Sequence, residues 1–162
     1  LRISKDMPPG RISIPDQIID YTWSRQHTNF EDARSHVAHI DLTEPYCETF
    51  RARLLAAAGR AGIDVATAAT NGATQGPRLE TAAEINRLDN DGCHIVGMTG
   101  MPEASIAREL GLCYAVIALS VNYAAGRAAG PIEMQEIEAH LVEGMVRVRS
   151  ILGEVLAGVT RG

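Results

Sequence analysis

Three polar residues, Glu80, Thr99 and Asn122, each lie just past a run of apolar and small residues: Asp64 to Thr74, His94 to Gly97, and Tyr114 to Val121 respectively. Such runs suit strands. In an open α/β sheet, ligands collect beyond the carboxyl ends of the strands, so neighbouring strands would bring a carboxylate, a hydroxyl and a carboxamide together. That set can read a nitrogen heterocycle, since Glu accepts from a ring N–H while Asn both donates to a ring acceptor and accepts from another group. Each residue also has a plainer use. Glu80 suits the first turn of a helix, where the dipole favours an acid; Thr99 suits an N-cap; Asn122 suits a turn after a strand. Singly the plainer use is preferred. Together, at successive strand ends, the three favour a small-molecule site whose floor runs from Gly72 to Pro102.

Other chemistries find less support. The histidines His27, His36, His39, His94 and His140 lack metal-ligand spacing, and no Cys or carboxylate pair completes a site. His39 and His94 fall in strand-like runs and read as sheet histidines. There is no nucleophile elbow and no phosphate loop with a Lys, although Gly97-Met98-Thr99-Gly100 ahead of a helix can offer amides and a hydroxyl to an anion. A net charge of -5 and the absence of any Lys or Arg run give no footprint for nucleic acid or a membrane surface. The three cysteines, Cys47, Cys93 and Cys113, have no framework spacing and no secretory signal precedes them, which predicts reduced thiols and a cytoplasmic location. Cys93 and Cys113 open candidate strands, where a thiol is a packing residue.

The elements that must position the site alternate strand and helix. With 162 residues, 46% hydrophobic and only 4% aromatic, the chain predicts one domain with a core of aliphatic side chains. Arg11 to Ile14 alternates as a strand until Pro15; Asp16 to Ser35 has no clean period and reads as a long surface excursion. Val37 to Asp41 reads as a strand, Thr43-Glu44-Pro45 as a helix start, and Phe50, Leu54, Leu55 and Ala58 as one helical face ending at Gly62. Asp64 to Thr74 and His94 to Gly97 are predicted strands, Thr81 to Leu88 and Glu103 to Leu110 helices, the latter closed by Gly111. Tyr114 to Val121 reads as a central strand covered on both faces. Ile137, Leu141, Met145, Val148, Leu152 and Val155 mark an amphipathic C-terminal helix, which Gly144 weakens. The order predicts a layered α/β fold.

Five motifs in this order carry a resemblance: Pro15-Asp16-Gln17-Ile18-Ile19-Asp20, Thr43-Glu44-Pro45-Tyr46, Gln75-Gly76-Pro77-Arg78-Leu79-Glu80-Thr81, Val96-Gly97-Met98-Thr99-Gly100-Met101-Pro102-Glu103, and Glu109-Leu110-Gly111-Leu112-Cys113-Tyr114-Ala115. They resemble the trimeric purine nucleoside phosphorylase family, in its branch acting on 5'-methylthio nucleosides. The resemblance implies a three-layer αβα fold with a mostly parallel mixed sheet. It implies phosphorolysis of a nucleoside to a free base and a sugar 1-phosphate, with inorganic phosphate as co-substrate and no cofactor or metal. By the same resemblance Glu80 and Asn122 face the purine, Asn122 acting catalytically on the departing base. Leu79 replaces an aromatic that packs on the base, Met98 lines the ribose, and Thr99 touches phosphate. A homotrimer is implied, with Phe30 and His36 at the subunit interface, although Asn29 stands where relatives more often carry an aromatic, and a partnerless surface loop is the rival reading there.

The resemblance also bears on base preference. Relatives that use 6-aminopurines carry Asp at the positions of Asn122 and Ala124, whereas Glu80 with Asn122 matches the 6-oxopurine enzymes. Glu80 can accept from a protonated N1, which an oxopurine has and adenine lacks. The expected substrate is S-methyl-5'-thioinosine, giving hypoxanthine and 5-methylthioribose 1-phosphate in purine salvage. A general purine nucleoside phosphorylase, a methylthioadenosine phosphorylase, and an inert fragment that only binds nucleobase remain open. Leu1-Arg2 stands where relatives usually have Gly-Gly, and the family's glycine-rich phosphate loop, Arg-His pair and Asn-Tyr-Arg segment are absent. Residues 1–162 are therefore expected to be the C-terminal portion of a single phosphorylase domain, lacking its N-terminal strands and inactive by itself.

Overall fold

The computed structural model describes residue 3 and residues 7–30, 39–128, 130 and 134–159. Its strands are β1 (Ile12–Ser13), β2 (Gln17–Asp20), β3 (Val65–Ala66), β4 (Thr70–Ala73), β5 (Ile95–Gly97) and β6 (Ala118–Leu119), and its helices are α1 (Glu48–Arg60), α2 (Ala82–Asn90), α3 (Glu103–Glu109) and α4 (Met134–Val159). They form two three-stranded sheets, ordered β3-β1-β6 and β2-β4-β5. All pairings are parallel except β1 with β6, so the fold is α/β with mostly parallel strands, as read from the sequence.

Alternation of side chains across a strand makes the layers. On β2, Ile18 packs with Tyr46, Ala73, Met101 and Ala104 of α3, while Ile19 packs with Ile85 and Leu88 of α2, Cys93 and Val96. Helices therefore cover both faces of β2-β4-β5. The other sheet turns Ile12, Val65 and Leu119 toward α1 and α4, where Leu54, Ala57, Val148, Ile151 and Val155 close the largest core cluster. Gly144 of α4 is required there: a Cβ would collide with the Leu119 side chain, so a residue that weakens the helix alone permits its close approach to β6.

Several sequence expectations need correction. The excursion from Asp16 contains β2, whose four residues pair with Thr70–Ala73 in register; a strand of Gln17, Ile18, Ile19 and Asp20 is too short and polar-ended to show a period. Of the strand expected at Val37 to Asp41, residues 37 and 38 lie outside the described residues and 39–41 are irregular. The first helix starts at Glu48, not near Thr43, because Tyr46 turns inward to the core and Cys47 takes the N-cap position. Asp64 to Thr74 divides into β3 and β4, one in each sheet. Tyr114 to Val121 does alternate between two cores, with Tyr114 and Val116 on one and Ala115, Ile117 and Leu119 on the other, but only Ala118–Leu119 pair and they sit at a sheet edge, not the centre. Cys47 and Cys113 form a disulfide, against the expectation of reduced thiols; the partners are 66 residues apart and lie where the Cys47 N–H donates to the Tyr114 carbonyl at 2.8 Å. Cys93 is free and buried.

Candidate base-binding site

The ends of β4 and β5 lie side by side, with Ala73 opposite Gly97. The segments just beyond both strands are held in place by Arg25, from the loop after β2. Its guanidinium donates to the carbonyls of Thr74 at 3.2 Å, Gln75 at 3.0 Å and Met101 at 2.5 Å. A cleft of about 420 Å³ opens beside these loops, lined by Tyr21, Trp23, Thr74, Gln75, Gly76, Arg78, Glu80, Glu84, Arg87 and Leu88.

Glu80 enters this cleft from the residue before the N-cap of α2. The turn is fixed by a capping box: Thr81 Oγ1 accepts from the Glu84 N–H at 3.2 Å, and Glu84 accepts from the Thr81 N–H at 2.7 Å. Arg78 grips the same Glu84 with both terminal nitrogens, at 2.7 and 2.9 Å. That fork, followed by the Thr81 amide, holds the Glu84 carboxyl at about 2, well below its ordinary value. Glu80 is thus not the first-turn acid; Glu84 is. With its neighbour capping the helix, Glu80 turns inward to 8% exposure. One carboxylate oxygen accepts from Thr74 Oγ1 at 2.6 Å. The other, Oε2, is buried with no hydrogen-bond partner among the described residues.

The remaining expected site residues are distributed around this point. Leu79 is 41% exposed beside Glu80 and does not line the cleft. Met98 presses against Gly76, where a Cβ would stand 2.5 Å from its Sδ; Gly76 also has a φ of +66°, a backbone conformation that favours glycine. Thr99 is exposed, and its carbonyl accepts from Asn71 Nδ2 at 3.4 Å. It does not cap α3, whose N-cap is Pro102. Asn122 is buried, at 7% exposure, two residues before Ala124, which packs against α2. Its Nδ2 donates to the Tyr123 carbonyl at 3.0 Å and its Oδ1 is buried without a partner among the described residues. Met98, Thr99 and Asn122 do not line the 420 Å³ cleft, so the convergence expected of Glu80, Thr99 and Asn122 is not formed within it. Phe30 is exposed, and His36 lies outside the described residues.

Two features escaped the sequence reading. Arg25 fastens the loops after β4 and β5 together, and nothing in its local pattern marks it. Tyr21 and Trp23 bring aromatic surface to a chain that has little. Tyr21 donates its hydroxyl to Asp91 at 2.7 Å; burial first, then that bond, push its phenol upward. The plain reading of His94 holds, because its Nδ1 accepts the Thr70 N–H at 3.0 Å. Among the described residues no group of three His, Cys, Asp or Glu side chains gathers to hold a metal ion, and no helix is long and apolar enough to cross a membrane.

Comparison with known proteins places this geometry. A probable S-methyl-5'-thioinosine phosphorylase of Pseudomonas syringae pv. tomato is 51% identical over 151 residues, which cover 93% of this chain and 61% of the relative. A 6-oxopurine nucleoside phosphorylase of Pyrococcus furiosus is 44% identical over 140 residues, covering 83% of this chain and 53% of the relative. Among solved structures, the methylthioadenosine phosphorylase of Schistosoma mansoni in complex with adenine superposes with a TM-score of 0.93 at 28% identity, covering 99% of this chain and 63% of that one. The chain thus spans less than two thirds of the length of each. The phosphorylase superfamily profile matches residues 2–157, and the chain belongs to that superfamily.

Proposed function

We propose that this chain forms the base-binding part of a purine nucleoside phosphorylase acting on 6-oxopurine nucleosides, with S-methyl-5'-thioinosine as the substrate and hypoxanthine and 5-methylthioribose 1-phosphate as products. The observation that carries the reading is Glu80 Oε2, a buried acceptor without a donor at the edge of a cleft. A protonated purine N1 is such a donor, and adenine has none. The names of the relatives from P. syringae and P. furiosus support the same class of base.

In the reaction, a phosphate oxygen bonds to the anomeric carbon as the bond to purine N9 breaks, and the bonding electron pair leaves with the base. Negative charge grows on the purine, so a donor at N7 stabilises the transition state more than the ground state. Asn122 Nδ2 has a second N–H beyond the one given to Tyr123, and is assigned that role. Thr99 is assigned to phosphate, Met98 to the ribose, and Leu79 to the base. Inorganic phosphate is co-substrate, with no cofactor. The chain is the C-terminal portion of one phosphorylase domain in a cytoplasmic homotrimer, with Phe30 and His36 facing a neighbouring subunit; residues 1–162 by themselves bind base without turnover.

Phosphorolysis of methylthioinosine, inosine and methylthioadenosine by the protein that carries this chain tests the reading. Methylthioinosine should be used best and methylthioadenosine worst. A preference for methylthioadenosine would overturn it.

A further inference from the structure

Glu80 does not stand alone in the cleft. Thr74, the first residue beyond β4, donates its hydroxyl to Glu80 Oε1 at 2.6 Å. The same hydroxyl lies 3.3 Å from the Gly97 carbonyl, but it has one proton, and the shorter bond to a carboxylate is the stronger. The proton therefore points at Glu80. The backbone of Thr74 is fixed without help from that hydroxyl: its N–H donates to the Gly97 carbonyl at 2.8 Å, and its carbonyl accepts from Arg25 at 3.2 Å. Removing the hydroxyl would leave the loop where it is.

A glutamate has three side-chain torsions, and ordering such a side chain costs conformational entropy. Thr74 meets part of that cost before any ligand arrives. A carboxylate pinned at Oε1 presents Oε2 in one direction. To an oxopurine N1–H this is a ready acceptor; to the bare N1 lone pair of an aminopurine it is an acceptor facing an acceptor, from which a freely turning carboxylate could swing away.

We propose that Thr74 is the positioning residue for base recognition, its hydroxyl holding Glu80 so that Oε2 both binds a 6-oxopurine and refuses a 6-aminopurine. This rests on the base-site reading above. A merely structural threonine would, on substitution, weaken both kinds of base alike; a positioning threonine moves them in different directions.

The test is calorimetric titration of the protein with hypoxanthine and with adenine, using Thr74→Val, Thr74→Ser, Glu80→Gln and the Thr74→Val/Glu80→Gln pair. Thr74→Val should weaken hypoxanthine roughly tenfold, because the cost of ordering the Glu80 side chain then falls on binding, while adenine binding stays level or tightens. Thr74→Ser should keep the parent's preference, and Thr74→Val should act more weakly once Glu80 is Gln, whose neutral Oε1 accepts a weaker bond from the hydroxyl. The proposal is overturned if Thr74→Val leaves the hypoxanthine-to-adenine ratio within twofold of the parent, weakens both bases equally, or acts as strongly in the Glu80→Gln background. If the parent itself fails to prefer hypoxanthine, the base-site reading falls and this proposal falls with it.

Discussion

In the proposed base site Glu80 is the central acceptor, and its burial has a cost. A buried acceptor left without a donor costs about 1–3 kcal/mol, and Oε2 is in that position while Oε1 is on Thr74. Glu80→Gln keeps the shape and removes the charge. Expected from thermal melts without ligand is a midpoint equal to or above the parent's, and from titration a hypoxanthine affinity at least tenfold lower. A variant that melts well below the parent would show Glu80 to be a structural acid. The place of Glu80 at a cleft was legible in the sequence because an acid after a predicted strand and at the start of a predicted helix is a type and a place together. Its partner was not: Thr74 and Glu80 are near in sequence, but only the turn through Gly76 and Pro77 aims one at the other. Arg25 was illegible for the same reason, its acceptors lying 49 to 76 residues away.

Helix α2 sets the direction in which Glu80 enters, and its start depends on protonation. Glu84 sits at about 2 in the folded chain against an ordinary 4.5, held down first by Arg78 and then by the Thr81 amide. Because the folded value is the lower, the contribution is present above about 4.5 and is lost as the pH falls toward 2. Stability measured by denaturant titration should fall over that window, and Glu84→Gln should flatten that part of the profile; an unchanged slope would mean that Glu84 does not fix the start of α2. Thr81→Ala should cost about 1 kcal/mol at neutral pH, the usual loss of an N-cap. The helices were legible because a period of three to four residues survives in sequence, although the starts read at Thr43 and Thr99 did not hold. The short strands were not. β1, β3 and β6 are two residues each, and what makes them strands is the partner each meets across the sheet.

At the scale of the whole molecule, the disulfide between Cys47 and Cys113 ties the N-cap of α1 to the segment after α3 across 66 residues. In the chain-entropy account a loop of that size restricts the unfolded state by about 4 kcal/mol. Reduction, or Cys113→Ser, should lower the unfolding free energy by about 2–4 kcal/mol, read from denaturant curves with and without reductant; identical curves would show that the bond contributes nothing. Spacing alone could not pair these cysteines, since the proximity belongs to the tertiary fold. The α/β class and the layer order were legible, because alternation of strand and helix dictates them. Above all, Glu80 is held to make this a 6-oxopurine site, and the affinities of the unmodified protein for hypoxanthine and adenine, measured by calorimetry under one set of conditions, test that most directly. Hypoxanthine should bind at least tenfold tighter; adenine binding as well or better would contradict the claim.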